Sequence, residues 1–127
     1  MHQAIETPVV HLELHTPNMQ GARAFYRELL RWRSDRIEVG AGAYQALTLG
    51  DSLGGGIVEC RTDHGTWLPY VEVDDIEIVT GQARSLGAAV LLEAREGPMG
   101  WRSVVATSDG GEIALWEPKR KPGERPE

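Results

Sequence analysis

The chain has 127 residues, 41% hydrophobic and 25% charged, which suits one domain or two small repeats sharing one fold. Its formal net charge of −6 repels phosphate backbones, which disfavours nucleic acid as a partner and favours a cationic ligand over an anionic one. A single cysteine excludes an internal disulfide, and we expect Cys60 in the core. No apolar run reaches the length of a membrane span, so we expect a cytoplasmic protein with no membrane partner.

The first half of the chain predicts a strand, a helix and three further strands. After a leader at residues 1–8, the first strand occupies 9–14. The next helix has Asn18 as its N-cap. Its buried face follows the i, i+3, i+4, i+7, i+8 spacing, with Ala22, Phe25, Tyr26, Leu29 and Leu30. Strands are then expected at about 35–39, 44–49 and 55–60, separated by glycine-rich turns.

The second half of the chain repeats this order after a linker at 61–66. A strand at 67–73 precedes a helix through Ile76 and Leu86, for which Asp74 and Glu77 resemble a capping box and Gly87 is the left-handed end. Three strands follow at about 88–93, 101–107 and 112–117. A charged tail at 119–127 is expected to be disordered. The prediction is an α+β fold in which modules 9–60 and 67–117 form one domain, residues 9–118.

Three sequence stretches, in this order and at this spacing, resemble the vicinal oxygen chelate superfamily. They are the strand His11-Leu12-Glu13-Leu14 with its Phe25-Tyr26 helix, the second opening from Trp67 to Asp75, and the closing Asp109 to Trp116 run. This superfamily includes glyoxalase I, bleomycin-resistance proteins and extradiol dioxygenases. The resemblance implies paired βαβββ modules in a curved mixed sheet with a central cavity, helices outside, and a homodimer.

The resemblance also assigns metal-ligand positions, and only two of the four carry a suitable side chain. His11 matches the first position and Glu59 the second, whereas Leu68 and Ala114 occupy the other two. Neither of these can donate a lone pair to a metal ion, so no cofactor is expected. The alternative is a divalent metal ion held by His11 and Glu59, with Glu13 as a third ligand.

Strand alternation then predicts the residues that face the cavity. They combine acids with apolar and aromatic walls, which suits flat cationic or heteroaromatic molecules through stacking and cation–π attraction. No glycine-rich phosphate loop or arginine cluster is recognisable in the sequence. His15 and His64 are interpreted as solvated loop histidines. The expected ligand-binding residues are His11, Glu13, Glu59, Leu68, Tyr70, Trp101, Ala114 and Trp116.

Three functions remain open at the level of sequence. The first is metal-independent sequestration of a small aromatic or cationic compound between the modules, as in bleomycin resistance. The second is an enzyme: a metal-dependent lyase, isomerase or dioxygenase, or a metal-free catalyst with Glu59 as general base. The third is a partner-binding regulatory domain. Trp32 and the edge of the strand at 67–73 are the expected dimer interface.

Overall fold

The structure, a computed structural model, describes residues 7–39, 42–97 and 99–119. The rest of the predicted leader and tail, and Pro98, lie outside the described residues. The chain forms two compact units, one of residues 10–69 and one whose described part comprises residues 7–9 and 70–119. We call them the first and second unit and describe each by itself.

The first unit is a four-stranded mixed sheet with one helix. Its strands lie in the order β2-β3-β4-β1, with β1 parallel to β4 and the other pairs antiparallel. β1 extends two residues further than the sequence predicts and therefore includes His15. The elements are β1 (Val9–Thr16), α1 (Met19–Leu30), β2 (Ser34–Val39), β3 (Gly42–Leu47) and β4 (Gly54–Glu59).

Helix α1 begins at two side-chain caps. The side chain of Asn18 accepts a hydrogen bond from the Gly21 amide at 3.0 Å, which confirms it as the N-cap. The Glu59 carboxylate accepts another from the Met19 amide at 2.9 Å. The core beneath the helix consists of Leu14, Leu47 and Ile57 with partly buried neighbours, among them Met19, Ala22, Tyr26, Trp32, Leu49 and Trp67.

The second unit repeats the arrangement. β5 (Thr66–Glu72) starts within the first unit, and its last three residues belong to the second. The sheet order is β5-β8-β7-β6, with β5 parallel to β8 and the other pairs antiparallel. The further elements are α2 (Ile76–Ser85), β6 (Ala89–Glu96), β7 (Gly100–Ala106) and β8 (Glu112–Pro118).

Helix α2 is capped one residue later than expected. Asp75, not Asp74, accepts from the amides of Glu77 and Ile78, at 3.1 and 3.2 Å. The carboxylate of Glu117 accepts from the Ile76 amide at 3.0 Å. Gly87 follows the helix with a φ of 97°, a left-handed conformation that glycine adopts without a steric cost.

The α2 side of the second unit carries its core. Val73, Ile76, Val105 and Leu115 form the buried cluster. Thr80 on α2 and Ser103 on β7 share a buried hydrogen bond of 2.8 Å between their hydroxyls. Within residues 7–39, 42–97 and 99–119, two helices and eight strands form two βαβββ repeats, which confirms the predicted α+β class and the order of these ten elements. Neither described helix is long and apolar enough to span a membrane.

Candidate functional site

Strand β1 presents two chemically different faces. Successive side chains of a strand point to opposite faces of the sheet. Leu14 and Thr16, two residues apart, are buried on the face that α1 covers. His11, Glu13 and His15 form the other set, on the face opposite α1. Alternation therefore separates an apolar core face from a face with three ionisable side chains, which we call the His–Glu face.

The carboxylate of Glu13 lies between the two imidazoles of this face. His15 Nε2 is 2.8 Å from Glu13 Oε1, and His11 Nε2 is 3.6 Å from Glu13 Oε2. The side chains of His11 and His15 are 22% and 29% exposed, against 12% for Glu13. The histidines are thus more accessible than the carboxylate that joins them.

Glycines in β4 leave the space that these side chains occupy. Gly54 and Gly56 pair with His11 and Glu13, so they belong to the same face. A Cβ on Gly54 would lie 3.0 Å from His11 Nδ1, and one on Gly56 would lie 2.7 Å from the ring of Tyr44. Side chains larger than glycine at these positions would displace the histidine and the tyrosine.

Tyr44 adds a phenol to the His–Glu face. Burial raises the pKa of Tyr44 above its ordinary value, and the negative charge of Glu13 raises it further. Loss of a proton would place a second negative charge near the carboxylate, so the phenol remains a hydrogen-bond donor. The face therefore combines a carboxylate, two imidazoles and a protonated phenol.

Glu59 does not lie with His11. It pairs with Thr16, five residues from His11 along β1, and alternates with Ile57 on the α1 side. Its carboxylate caps α1 through the Met19 amide. The structure therefore gives Glu59 a helix-capping position in place of the cavity position expected from the sequence.

The suggested metal ligands do not fit one ion for the same reason. His11 and Glu59 project from opposite faces of the sheet, and Nε2 of both histidines is directed at Glu13. Among the described residues there is no group of three or more His, Cys, Asp or Glu side chains that could hold a metal ion.

The second unit brings together three of the predicted site residues on the face opposite α2. Tyr70 pairs with Ala114, and Trp116 is two residues further along β8. Tyr70 is 7% exposed and Ala114 is fully buried, whereas Trp116 is half-buried. The phenol of Tyr70 accepts a hydrogen bond from Arg102 Nη1 at 2.9 Å, a residue that the sequence did not single out.

Two other predicted residues lie elsewhere. Trp101 packs against the α2 core cluster and not with Trp116, because it alternates with Arg102 along β7. Leu68 is buried in β5, next to Trp67, which packs in the core of the first unit. Trp67 Nε1 donates to the Tyr26 hydroxyl at 3.3 Å.

An open depression of about 390 Å³ lies on the α1 side of the first unit. Its aromatic walls are Phe25, Tyr26 and Trp67, and none of the predicted ligand-binding residues lines it. Because α1 and the His–Glu face are on opposite sides of the sheet, this depression is separate from the ionisable cluster.

Sequence reasoning missed His15 and Tyr44. His15 could have been found by extending the strand alternation of His11 and Glu13 by two more residues. Tyr44 could not, because its position over Gly56 depends on the pairing of β3 with β4. His64 is exposed in a loop, as expected.

Solved structures of similar fold include two methylmalonyl-CoA epimerases. The enzyme from Mycobacterium tuberculosis is 16% identical with a TM-score of 0.64, over 88% of each chain. A methylmalonyl-CoA epimerase in complex with methylmalonyl-CoA and NH4+ is 18% identical with a TM-score of 0.66, over 90% of this chain and 96% of that one. The hypothetical protein BH1468 from Bacillus halodurans C-125 has a TM-score of 0.70 at 12% identity, over 94% and 100%.

These similarities are similarities of fold. No protein-family model matches the sequence, and no curated protein matches it by sequence. The chain has the fold of the vicinal oxygen chelate superfamily, as the three sequence stretches indicated.

Proposed function

We propose that the protein is a metal-independent acid–base catalyst that moves a proton at a carbon atom next to a carbonyl group. The observation that carries this proposal is the Glu13 carboxylate between the imidazoles of His11 and His15. Imidazoles are the side chains that most often act as general acids and bases near neutral pH. Two of them on one face provide one group to remove a proton and another to return it.

Glu13 is the positioning residue of this arrangement. Its carboxylate orients the His15 ring through the 2.8 Å hydrogen bond at Nε2 and lies 3.6 Å from His11 Nε2. Its 12% exposure favours a supporting role over direct contact with a substrate. Tyr44, with its raised pKa, supplies a phenol that donates to a carbonyl oxygen as negative charge develops there.

The solved structures of similar fold support the same class of chemistry. Two of the three named above are methylmalonyl-CoA epimerases, and epimerisation requires removal and return of one proton at one carbon. Their low identity supports the choice of reaction class and not the choice of substrate. The substrate class proposed here is therefore a small molecule with an acidic C–H bond beside a carbonyl or thioester.

A second candidate is metal-independent sequestration of a small aromatic compound, without reaction. The observation that favours it is the half-buried indole of Trp116 on the same face as the small residue Ala114. An indole face beside a small side chain accommodates a planar ring through stacking. A cationic compound is less suitable at this position, because the cation Arg102 is paired with Trp116 across the strands.

Proton exchange in heavy water separates the two candidates. Methylmalonyl-CoA and a series of 2-substituted carboxylic acids and thioesters are incubated with the protein, and loss of the α-proton signal is followed by nuclear magnetic resonance. We expect catalysed exchange with at least one compound. His11→Gln and His15→Gln should each slow exchange by about 100-fold, the usual contribution of a general acid or base.

His64→Gln is the matched control, because it removes an exposed loop imidazole and should leave the exchange rate unchanged. Exchange that persists at the wild-type rate in both histidine variants would contradict the proposal. Saturable binding of aromatic compounds with no exchange in any compound would favour sequestration instead.

A further inference from the structure

We propose that the depression on the α1 side of the first unit is a binding site for a small, uncharged, planar aromatic molecule that carries one hydrogen-bond acceptor. Its described lining residues all belong to this unit. Neither the proposed proton transfer nor the sequestration candidate at Trp116 uses any of them. The inference does not depend on either function, because binding in the depression can be measured without any reaction.

The aromatic wall of the depression is packed before any ligand binds. Tyr26 is its central ring, and it meets Phe25 edge-on with ring centroids 5.0 Å apart and Trp67 with centroids 5.6 Å apart. Edge-to-face contacts at such distances are favourable. Trp32, which does not line the depression, stacks on Tyr26. Because these contacts already hold the wall, a ligand that stacks there orders few further side chains.

The floor of the depression is apolar and leaves space for one ring. Leu14 and Thr16 lie there and are 4% and 6% exposed, while Ala22 and Gly65 contribute little or no side chain. The volume is about 390 Å³. An apolar cavity of about 150 Å³ is enough to bind benzene, and small-molecule sites begin at about 300 Å³. The depression therefore fits a single ring with a substituent.

Two hydrogen-bond donors among the lining residues favour a ligand with an acceptor oxygen. Asn18 Oδ1 accepts from the Gly21 amide at 3.0 Å, which leaves the NH₂ group of the same side chain as a donor. The Tyr26 hydroxyl accepts from Trp67 Nε1 at 3.3 Å, which leaves its own hydrogen to donate. None of the described lining side chains carries a charge. An ionised ligand would therefore lose hydration without gaining a counter-charge.

The test is a titration with three fluorinated aromatic compounds, followed by fluorine nuclear magnetic resonance of the ligand. 4-Fluoroacetophenone has the ring and the acceptor oxygen, 4-fluorobenzoate is its charged counterpart, and 1-ethyl-4-fluorobenzene lacks the oxygen. We expect a saturable change in the signal of the ketone. The carboxylate should bind at least about tenfold more weakly because its charge is unpaired, and the ethyl compound about threefold more weakly because a hydrogen bond is lost.

Gly65→Val should fill part of the depression and leave its floor in place. A Cβ on Gly65 would lie 3.7 Å from Leu14 Cδ1, an ordinary van der Waals distance, and Gly65 is not among the glycines with a positive φ. The added methyl groups should weaken binding of the ketone by at least about tenfold, since they displace apolar ligand surface. Gly50→Val is the matched control. It makes the same change in a loop of the same unit, with no atom within 4 Å of the new Cβ, and should leave the affinity unchanged.

Phe25→Ala is the second variant. Phe25 is 56% exposed, so its truncation retains the fold and remains informative if Gly65→Val does not fold. Loss of this part of the wall should weaken binding of the ketone by about threefold to tenfold, the usual contribution of one aromatic contact. Thermal unfolding of the wild type should shift upward with 4-fluoroacetophenone, and that of Phe25→Ala should shift less.

Equal affinity for the ketone and the carboxylate would overturn the inference, as would equal affinity for the ketone and the ethyl compound. Unchanged ketone binding in both Gly65→Val and Phe25→Ala would also overturn it, because the ligand would then bind elsewhere. Absence of a saturable signal change would overturn it as well. If Gly65→Val were then monomeric where the wild type is dimeric, the occupant of the depression would be a second copy of the chain.

Discussion

The pKa of Tyr44 responds directly to the burial and charge of the His–Glu face. Its pKa is raised by burial first and by the charge of Glu13 second. A group whose pKa is higher in the folded than in the unfolded state stabilises the folded protein at every pH below its unfolded-state pKa. For Tyr44 that pKa is the ordinary value of 10.0. That contribution is lost as the pH rises through the raised pKa.

Removal of the neighbouring charge should therefore be visible in an alkaline titration. In Glu13→Gln we expect the pKa of Tyr44 to fall toward its ordinary value, with the part caused by burial remaining. The phenolate absorbance is measured against pH, and Tyr44→Phe identifies the signal among the three tyrosines. An unchanged Tyr44 titration in Glu13→Gln would show that the two groups do not interact.

Single residues also show where the sequence was sufficient and where it was not. The pairing of His11 with Glu13 followed from strand alternation alone, since it involves residues two apart on one strand. The position of Glu59 did not follow, because the face that a β4 residue presents depends on its register with β1. Trp101 was predicted among the ligand-binding residues that face the cavity. It is one residue from Arg102 along β7, so its side chain lies on the other face and packs against the α2 core cluster instead.

At the scale of elements, Glu59 links β4 to the start of α1. Glu59→Ala removes the acceptor for the Met19 amide and a negative charge at the helix N-terminus, so we expect a loss of about 1 kcal/mol in the free energy of unfolding. Urea denaturation measures it. Glu59→Gln keeps an acceptor oxygen and should lose less, whereas equal stability of Glu59→Ala and wild type would contradict the capping role.

Helix α2 is tied to its sheet by the hydroxyls of Thr80 and Ser103. Ser103 is fully buried, so Thr80→Val leaves a buried hydroxyl without this partner and should cost about 1–3 kcal/mol of unfolding free energy. Adding Ser103→Ala removes the orphaned group and should recover part of the loss. A double variant that is less stable than Thr80→Val alone would contradict this explanation.

Elements were the part of the structure that the sequence predicted best. All ten were expected in the observed order, because apolar periodicity and glycine-rich turns are local signals. The α2 cap is Asp75 and not Asp74, because adjacent aspartates offer the same capping chemistry and the sequence alone does not decide between them. Strand order within each unit needed the resemblance to a known fold.

At the scale of the whole molecule, the homodimer stays a prediction, and the structure changes the surface that should form it. Trp32 stacks on Tyr26 with ring centroids 5.3 Å apart, so much of its ring is already packed within the first unit. Helix α1 has no buried residue and exposes Phe25, Leu29 and Leu30. Exposed apolar residues on one helix face are typical of association surfaces.

We therefore expect sedimentation equilibrium to give twice the chain mass of 14.0 kDa, and Phe25→Ser combined with Leu29→Ser to shift the protein toward monomer. The exposed change Glu28→Gln on the same helix should have no effect. A monomeric wild type, or a dimer unaffected by the double change, would contradict this surface.

The central claim is that the His–Glu face, and not Glu59, carries the chemistry. The most direct measurement is the rate of α-proton exchange in heavy water, compared between Glu13→Gln and Glu59→Gln with the same substrate. We predict that Glu13→Gln slows exchange by at least about tenfold, because the imidazoles lose the carboxylate that lies between them. Glu59→Gln should exchange at the wild-type rate. Loss of exchange in Glu59→Gln with full activity in Glu13→Gln would contradict the account.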